Sequence, residues 1–210
     1  IAMDVRLFDL NIERILEAWD NSHAVRELIA NALDEQILTR SAAISIQKDP
    51  AGVWSVRDFG RGLRYEHFTQ NENPEKLKAS GRVIGKFGIG LKDAVATLTR
   101  NGVAVEFQSK HAVITFEQCP KHGFADVVTL HARVAPPRDP RFKGTEIKFV
   151  GLEDADLAAA KAFFLKFSGE MTIEATRLGS ILKKTGPKGR IYVAGLLIAE
   201  EENFAFSYNI

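Results

Sequence analysis

Three polar residues at helical spacing, Glu27, Asn31 and Asp34, are the first candidates for chemistry. At about 100° per residue they share one narrow helix face, roughly one turn apart. The run from Ser22 to Leu38 contains no Gly or Pro. Val25, Leu28, Ile29, Ala32, Leu33 and Ile37 spread over its opposite side, which predicts a helix docked on a core. No Lys or Arg falls between Glu27 and Gln36, where a solvated face would usually carry one. The row therefore reads as facing a ligand that carries a metal ion, with an acidic surface stripe as the plain alternative.

Two glycine-rich turns add to this row. Asp58-Phe59-Gly60-Arg61-Gly62 follows a strand-like run, and its glycines permit close backbone approach. A carboxylate fixed there suits the exocyclic amino group of adenine, a donor; a tight turn capped by Asp is the alternative. Gly85-Lys86-Phe87-Gly88-Ile89-Gly90-Leu91-Lys92 opens a helix that reads to about Leu98. Backbone N–H groups at a helix start form an anion site, and Lys86 and Lys92 add charge. The order of glycines is neither a Walker loop nor the dinucleotide fingerprint. A simple helix cap is the alternative.

These turns need elements to hold them. Residues 11–19, with Ile12, Ile15, Leu16 and Trp19, read as a short helix, and Ser22 or Asn21 as the cap of the long one. Residues 43–47 and 53–56 read as a hairpin, and 64–84 as a long polar loop of the kind that serves as a lid. Period-two runs at 103–107, 112–116, 127–130 and 144–150 read as antiparallel strands. Residues 154–166 read as a helix, and 191–198 and 204–208 as late strands. The fold class is α+β, a mixed and mostly antiparallel sheet with helices on one face.

The bulk composition excludes several classes. With 45% hydrophobic and 26% charged residues, the 210-residue chain is ordinary globular material. A net charge of +1 supplies no global field toward nucleic acid or membrane. No apolar run approaches the roughly 20 residues of a membrane span. One cysteine, Cys119, excludes an internal disulfide and suits a reducing, cytoplasmic setting. Cys119 and nearby His122 cannot supply four zinc ligands and read as structural. His67 and His111 have no evident partner. Phe163, Phe164 and Phe167 read as core, and the basic run Lys183–Arg190 as a solvated turn, with nucleic-acid contact the lesser reading. The chain opens without Met and ends in strand-like Ser207-Tyr208-Asn209-Ile210, so a segment of a longer protein is expected.

Taken together, the motifs resemble those of the GHKL, or Bergerat-fold, ATPase superfamily, which includes gyrase B-type, heat-shock chaperone, MutL, MORC and sensor-kinase domains. The matches are Glu27-x-x-x-Asn31-Ala32-x-Asp34, Asp58-x-Gly60-x-Gly62, Gly85-x-x-Gly88-x-Gly90 and Gly144-Thr145, in that order. They run from about residue 10 to 150. The resemblance implies a Bergerat-type sandwich with a long ATP lid, ATP as ligand and Mg²⁺ as cofactor. It implies an ATP-binding domain over 1–151. Residues 152–210 would be a helix and strands packed on it, or the start of a following segment.

Residue by residue, the resemblance makes Glu27 the general base for water and Asn31 the ligand of Mg²⁺. Asp58 takes the adenine amino group, Thr145 supports it, and Leu63 walls the ring. Asp34, Gly60 and Gly62 complete that side. Phe87, Gly88, Ile89 and Gly90 cradle phosphates with Lys86 or Lys92 as counter-charge, Lys92 the favoured one, and Ser80 in the lid a lesser candidate. The intact Glu27 pattern favours a hydrolase over a protein kinase. The distal lysine that dimerising relatives supply from a second domain has no assignable counterpart after Phe149. An ATP-binding regulatory module without turnover is therefore the alternative. An ATP-dependent homodimer of the full-length protein is the implied partnership, with nucleic acid or a client protein left open and no membrane.

Overall fold

A computed structural model of the chain describes residues 5–10, 12, 19–68, 84, 90–121 and 124–210, with residues 124–126 described by backbone alone. The expected helix over 11–19 lies almost wholly outside these residues. So does the loop over 64–84, except for Arg64, the one-turn 3-10 helix Tyr65–Phe68 and Ile84.

The long helix forms where its pattern predicts. Helix α1 spans Asn21–Thr39 and buries Val25, Leu28, Ile29, Ala32 and Leu33. Its cap is Asp20, not Asn21 or Ser22. The Asp20 carboxylate accepts from the backbone N–H of His23 at 3.0 Å and from the Ser22 hydroxyl at 2.7 Å. Three successive residues of capping type make this choice unreadable from sequence. The helix ends at Arg40, whose left-handed conformation lets its N–H reach the Gln36 carbonyl.

Strands β1 (Arg6–Asp9), β2 (Ser45–Lys48), β3 (Trp54–Arg57), β4 (Ala104–Ser109), β5 (Val113–Lys121), β6 (Phe124–Ala135) and β7 (Thr145–Val150) form one sheet. Its order is β1-β6-β5-β4-β7-β3-β2 and every pairing is antiparallel. Alternation sorts its faces. On β4 and β7, Val105, Phe107, Ile147 and Phe149 point into the core, while Glu106 and Lys148 point outward. Arg138 clamps the outer face by a bidentate bond to Glu106 at 2.6 and 2.8 Å.

Helix α2 (Gly90–Arg100) packs beside α1 over the inner face, and α3 (Asp154–Ala162) packs on the other flank of α1. Asp154, at the start of α3, accepts from Lys48 at 2.6 Å and from the Trp54 indole at 2.8 Å. These bonds tie α3 to the β2–β3 hairpin.

The predicted helix over 154–166 breaks at Phe163, and a four-residue turn of helix, α4 (Leu165–Ser168), follows. The remainder is a second, five-stranded sheet: β8 (Met171–Thr176), β9 (Gly179–Lys183), β10 (Gly189–Val193), β11 (Leu196–Glu201) and β12 (Ser207–Asn209), ordered β11-β10-β12-β9-β8. The expected single strand over 191–198 is two strands reversed at Ala194 and Gly195, both at positive φ. One pairing, β10 with β12, is parallel. The second sheet joins the core through Phe164, which is buried in the main cluster and bridges to Leu196. The fold is thus α+β, built on two largely antiparallel sheets.

Asp20 carries a testable load. Burial works against its ionised form, but bonds from Ser22 and His23 outweigh it and hold the carboxyl at about 2. Asp20→Ala should lower unfolding free energy by about 1 kcal/mol, measured by urea denaturation at neutral pH. Because the folded-state value lies below the ordinary 3.8, the difference between wild type and variant should shrink as pH falls from about 4 toward 2.

Candidate functional site

The candidate site is assembled where α1 meets two glycines. A Cβ on Gly90, the first residue of α2, would overlap the side chain of Glu27. A Cβ on Gly60 would overlap the side chain of Glu35. With no side chain at these two positions, Glu27 lies directly against the start of α2 and Glu35 against the turn after β3.

Along α1, Glu27 and Asn31 are half-buried and Asp34 is fully buried. The Asp34 carboxylate accepts from the Ile84 backbone N–H at 2.6 Å. It thereby anchors the chain just ahead of the second glycine loop. Glu27 and Asn31 also have partners of their own.

The turn after β3 is held from several directions. Register pairs Arg57 with Glu146, so Asp58 emerges beside Thr145 at the start of β7. The Asp58 N–H donates to the Thr145 carbonyl at 3.0 Å, and the Gly60 N–H donates to the Asp58 carboxylate at 2.8 Å. Thr145 is itself only 6% exposed. Its hydroxyl oxygen accepts from the Leu63 N–H at 2.9 Å and bonds to the Asp58 carboxylate. Gly144 sits at φ +77°, and a Cβ there would strike the Asp58 carbonyl. Only glycine satisfies both conditions at that position.

Arg57 closes the arrangement. Its guanidinium lies 4.1 Å from the Phe142 ring centroid and 4.9 Å from that of Phe59, and it donates to the Lys143 carbonyl at 3.1 Å. It thus clamps the Asp58 turn to the segment carrying Gly144.

Asp58 is 5% exposed. Burial is the largest influence on its carboxyl and, with the nearby Glu35 charge, pushes it above the usual aspartate range despite bonds from Gly60 and Thr145. Asp58 is thus a buried carboxylate kept among fixed neighbours against that penalty.

Two residues absent from the sequence reading also shape the site. The Glu35 Oε1 accepts from the Arg61 N–H at 2.8 Å and from its Nε at 3.0 Å, and Oε2 accepts from Nη2 at 2.8 Å. An arginine set between two glycines was the available signal. Ser109 donates to the Leu63 carbonyl at 2.7 Å from the end of β4. His111, without an evident partner in sequence, bonds the Arg61 carbonyl with its ring. His67 bonds within its own turn to Arg64.

Other expected residues divide by location. Lys92 lies half-buried in the first turn of α2. Ser80, Lys86, Phe87, Gly88 and Ile89 lie outside the described residues, so the described part of the site comprises Glu27, Asn31, Asp34, Asp58, Gly60, Gly62, Leu63, Gly90, Lys92 and Thr145. Among the described residues no three His, Cys, Asp or Glu gather as a metal centre, and no helix is long and apolar enough to cross a membrane. The basic run is partly spent on structure: Lys184 donates to the Pro187 and Phe204 carbonyls at 2.9 and 3.0 Å.

The Glu35–Arg61 pair yields a measurable coupling. A double-mutant cycle with Glu35→Ala and Arg61→Ala should return about 1 kcal/mol, since the bidentate geometry is good but Arg61 is half-exposed. Burial pushes the Glu35 carboxyl up, but the Arg61 bonds outweigh it and hold the group below its ordinary value of 4.5. The coupling should therefore be complete above pH 4.5 and fade as pH falls through the lower folded-state value.

Two comparisons bear on kinship. A family model described as Mycoplasma pneumoniae MPN635 N-terminal domain matches residues 155–210, which cover nearly all of α3, α4 and the whole second sheet. A Mycoplasma pneumoniae protein named only as uncharacterized is 37% identical over 210 residues, spanning 98% of this chain and 84% of that protein. With that identity over almost its full length, the chain belongs to the family of this uncharacterized Mycoplasma pneumoniae protein.

Proposed function

We propose that the chain is a Bergerat-type, GHKL-like domain that binds ATP with Mg²⁺ and hydrolyses it. The observation that carries this reading is the meeting of separate motifs. Glu27 lies against Gly90, and Asp58 against Gly144 and Thr145, although the sequence scatters them over more than a hundred positions.

The chemistry of each group supports a role. Asp58 is a buried acceptor whose position is fixed by Gly60 and Thr145, suited to the amino group of adenine. Leu63, with its backbone locked to Thr145 and Ser109, walls the ring. The start of α2 at Gly90 offers backbone N–H groups to phosphate, with Lys92 as counter-charge. Asp34 acts by holding Ile84, and hence the approach to that glycine loop.

The Asn31 amide oxygen, half-buried on the turn after Glu27, suits a hard cation. Magnesium bound there would neutralise developing phosphate charge. Glu27, the remaining acid on this face of α1, accepts the proton of the attacking water. Clamp-like dimerisation driven by ATP belongs to the same reading, at the level of the full-length protein.

Glu27→Ala should lower phosphate release at least about a hundredfold while leaving Mg-ATP affinity within a few-fold, measured by steady-state release and by calorimetry. Undiminished turnover would remove Glu27 as the base. Asp58→Asn should weaken Mg-ATP binding about tenfold or more. Wild-type affinity should fall as acid protonates Asp58, beginning above the ordinary aspartate value of 3.8, and the variant should lose that dependence. Equal affinity and an unchanged pH profile in Asp58→Asn would place adenine elsewhere.

A further inference from the structure

A second concave site lies at the β1 edge of the first sheet. It encloses about 210 Å³ and is lined by Arg6, Phe8, Arg64, Tyr65, His111 and Val134, with smaller apolar residues between them. Its walls follow from strand alternation. Arg6 and Phe8 share one face of β1, and the register Arg6↔Val134 brings Val134 beside them. Leu7 and its partner Arg133 face the other way.

One wall is aromatic and the mouth is cationic. Tyr65 stacks on Phe8 with ring centroids 4.9 Å apart and planes 14° from parallel. Two guanidiniums, Arg6 and Arg64, and the imidazole of His111 border the cleft, against a single lining acid, Glu66. Among the described residues, no carboxylate forms an ion pair with Arg6 or Arg64. An excess of cationic groups over the single carboxylate, beside a concave apolar wall, favours a ligand with an anionic end and an apolar body. At about 210 Å³ the cleft is smaller than the roughly 300–1,000 Å³ of sites for drug-sized ligands. It suits a body of about one ring.

The cleft is mechanically joined to the Asp58 turn. The His111 ring bonds the Arg61 carbonyl and lies within van der Waals reach of a Cβ placed on Gly62. The His111 backbone N–H donates to the Ser109 hydroxyl at 3.1 Å, and that hydroxyl donates to the Leu63 carbonyl at 2.7 Å. A ligand that moves His111 acts directly on residues 61–63.

We propose that this cleft is a second ligand site for a small organic anion, with its phosphate or carboxylate between Arg6 and Arg64 and its apolar body against Phe8 and Tyr65. The assignment is independent of the nucleotide reading, because it uses none of the residues placed there.

Phenyl phosphate serves as the probe, titrated into the ¹⁵N-labelled chain without ATP. Saturable amide shifts at Arg6, Arg64 and His111, extending to Arg61 and Gly62, are expected with a Kd on the order of 1 mM. Arg6→Ala and Arg64→Ala, both at exposed positions, should each weaken binding about tenfold with the amide spectrum otherwise retained. Arg133→Ala, on the opposite face of the same strand pair, should stay within about twofold. Benzoate binding as well as phenyl phosphate assigns the site to anions generally, and weaker benzoate binding assigns it to phosphates. The proposal fails if shifts do not saturate by about 10 mM or if benzyl alcohol binds equally well. It also fails if both arginine variants bind like wild type, or if Arg133→Ala loses as much as they do. Arg6 and Arg64 lie outside the motif site, so loss of binding in their variants distinguishes this cleft from probe bound there.

Discussion

Two side chains of helix α1 reach other segments at positions where those segments present no side chain of their own. Glu27 fills the space a Cβ would take on Gly90, and Glu35 fills the space it would take on Gly60. Close packing on the apolar side of the helix, with Val25, Leu28 and Ile29 fully buried, leaves it no room to shift away. Glu27 and Glu35 thus bring α1 into direct contact with Gly90 and with the turn that carries Gly60.

The sheet holds the start of that turn. Pairing of β3 with β7 sets Asp58 beside Thr145, and the Arg57 guanidinium between Phe59 and Phe142 keeps the two segments together. Thr145 then serves three neighbours at once: its carbonyl takes the Asp58 N–H, and its hydroxyl meets both Leu63 and the Asp58 carboxylate. Bonds of this kind hold a buried carboxylate in place although burial raises the cost of its charge.

Much of this was legible beforehand, and the reasons are physical. Helix α1 is a long run free of Gly and Pro, strands β4 and β7 alternate cleanly, and their bounds matched within a few residues. Strand β1 is only four residues long and lies at a sheet edge, so it left little pattern. Every residue of β8 is exposed, so the burial that normally writes alternation into a sequence is missing. At the reversal, Ala194 gives no hint of a left-handed conformation, and Gly195 alone marked the turn inside an apolar run. Within the site, residue types and order marked Glu27, Asn31, Asp58 and Thr145 as candidates. Glu35, Ser109 and the role of His111 were not legible, because their partners are reached only through the fold.

The register between β3 and β7 also has a kinetic side. The β4–β5 and β5–β6 pairs join neighbours along the chain and close short loops, whereas Arg57 finds Glu146 only after the whole intervening segment has been gathered. Closing that larger loop costs more entropy before any contact rewards it. The hairpins that carry Ser109, His111 and Val134 thus have the earlier claim on the folding chain, and the ladder that seats Asp58 is among the later parts to lock.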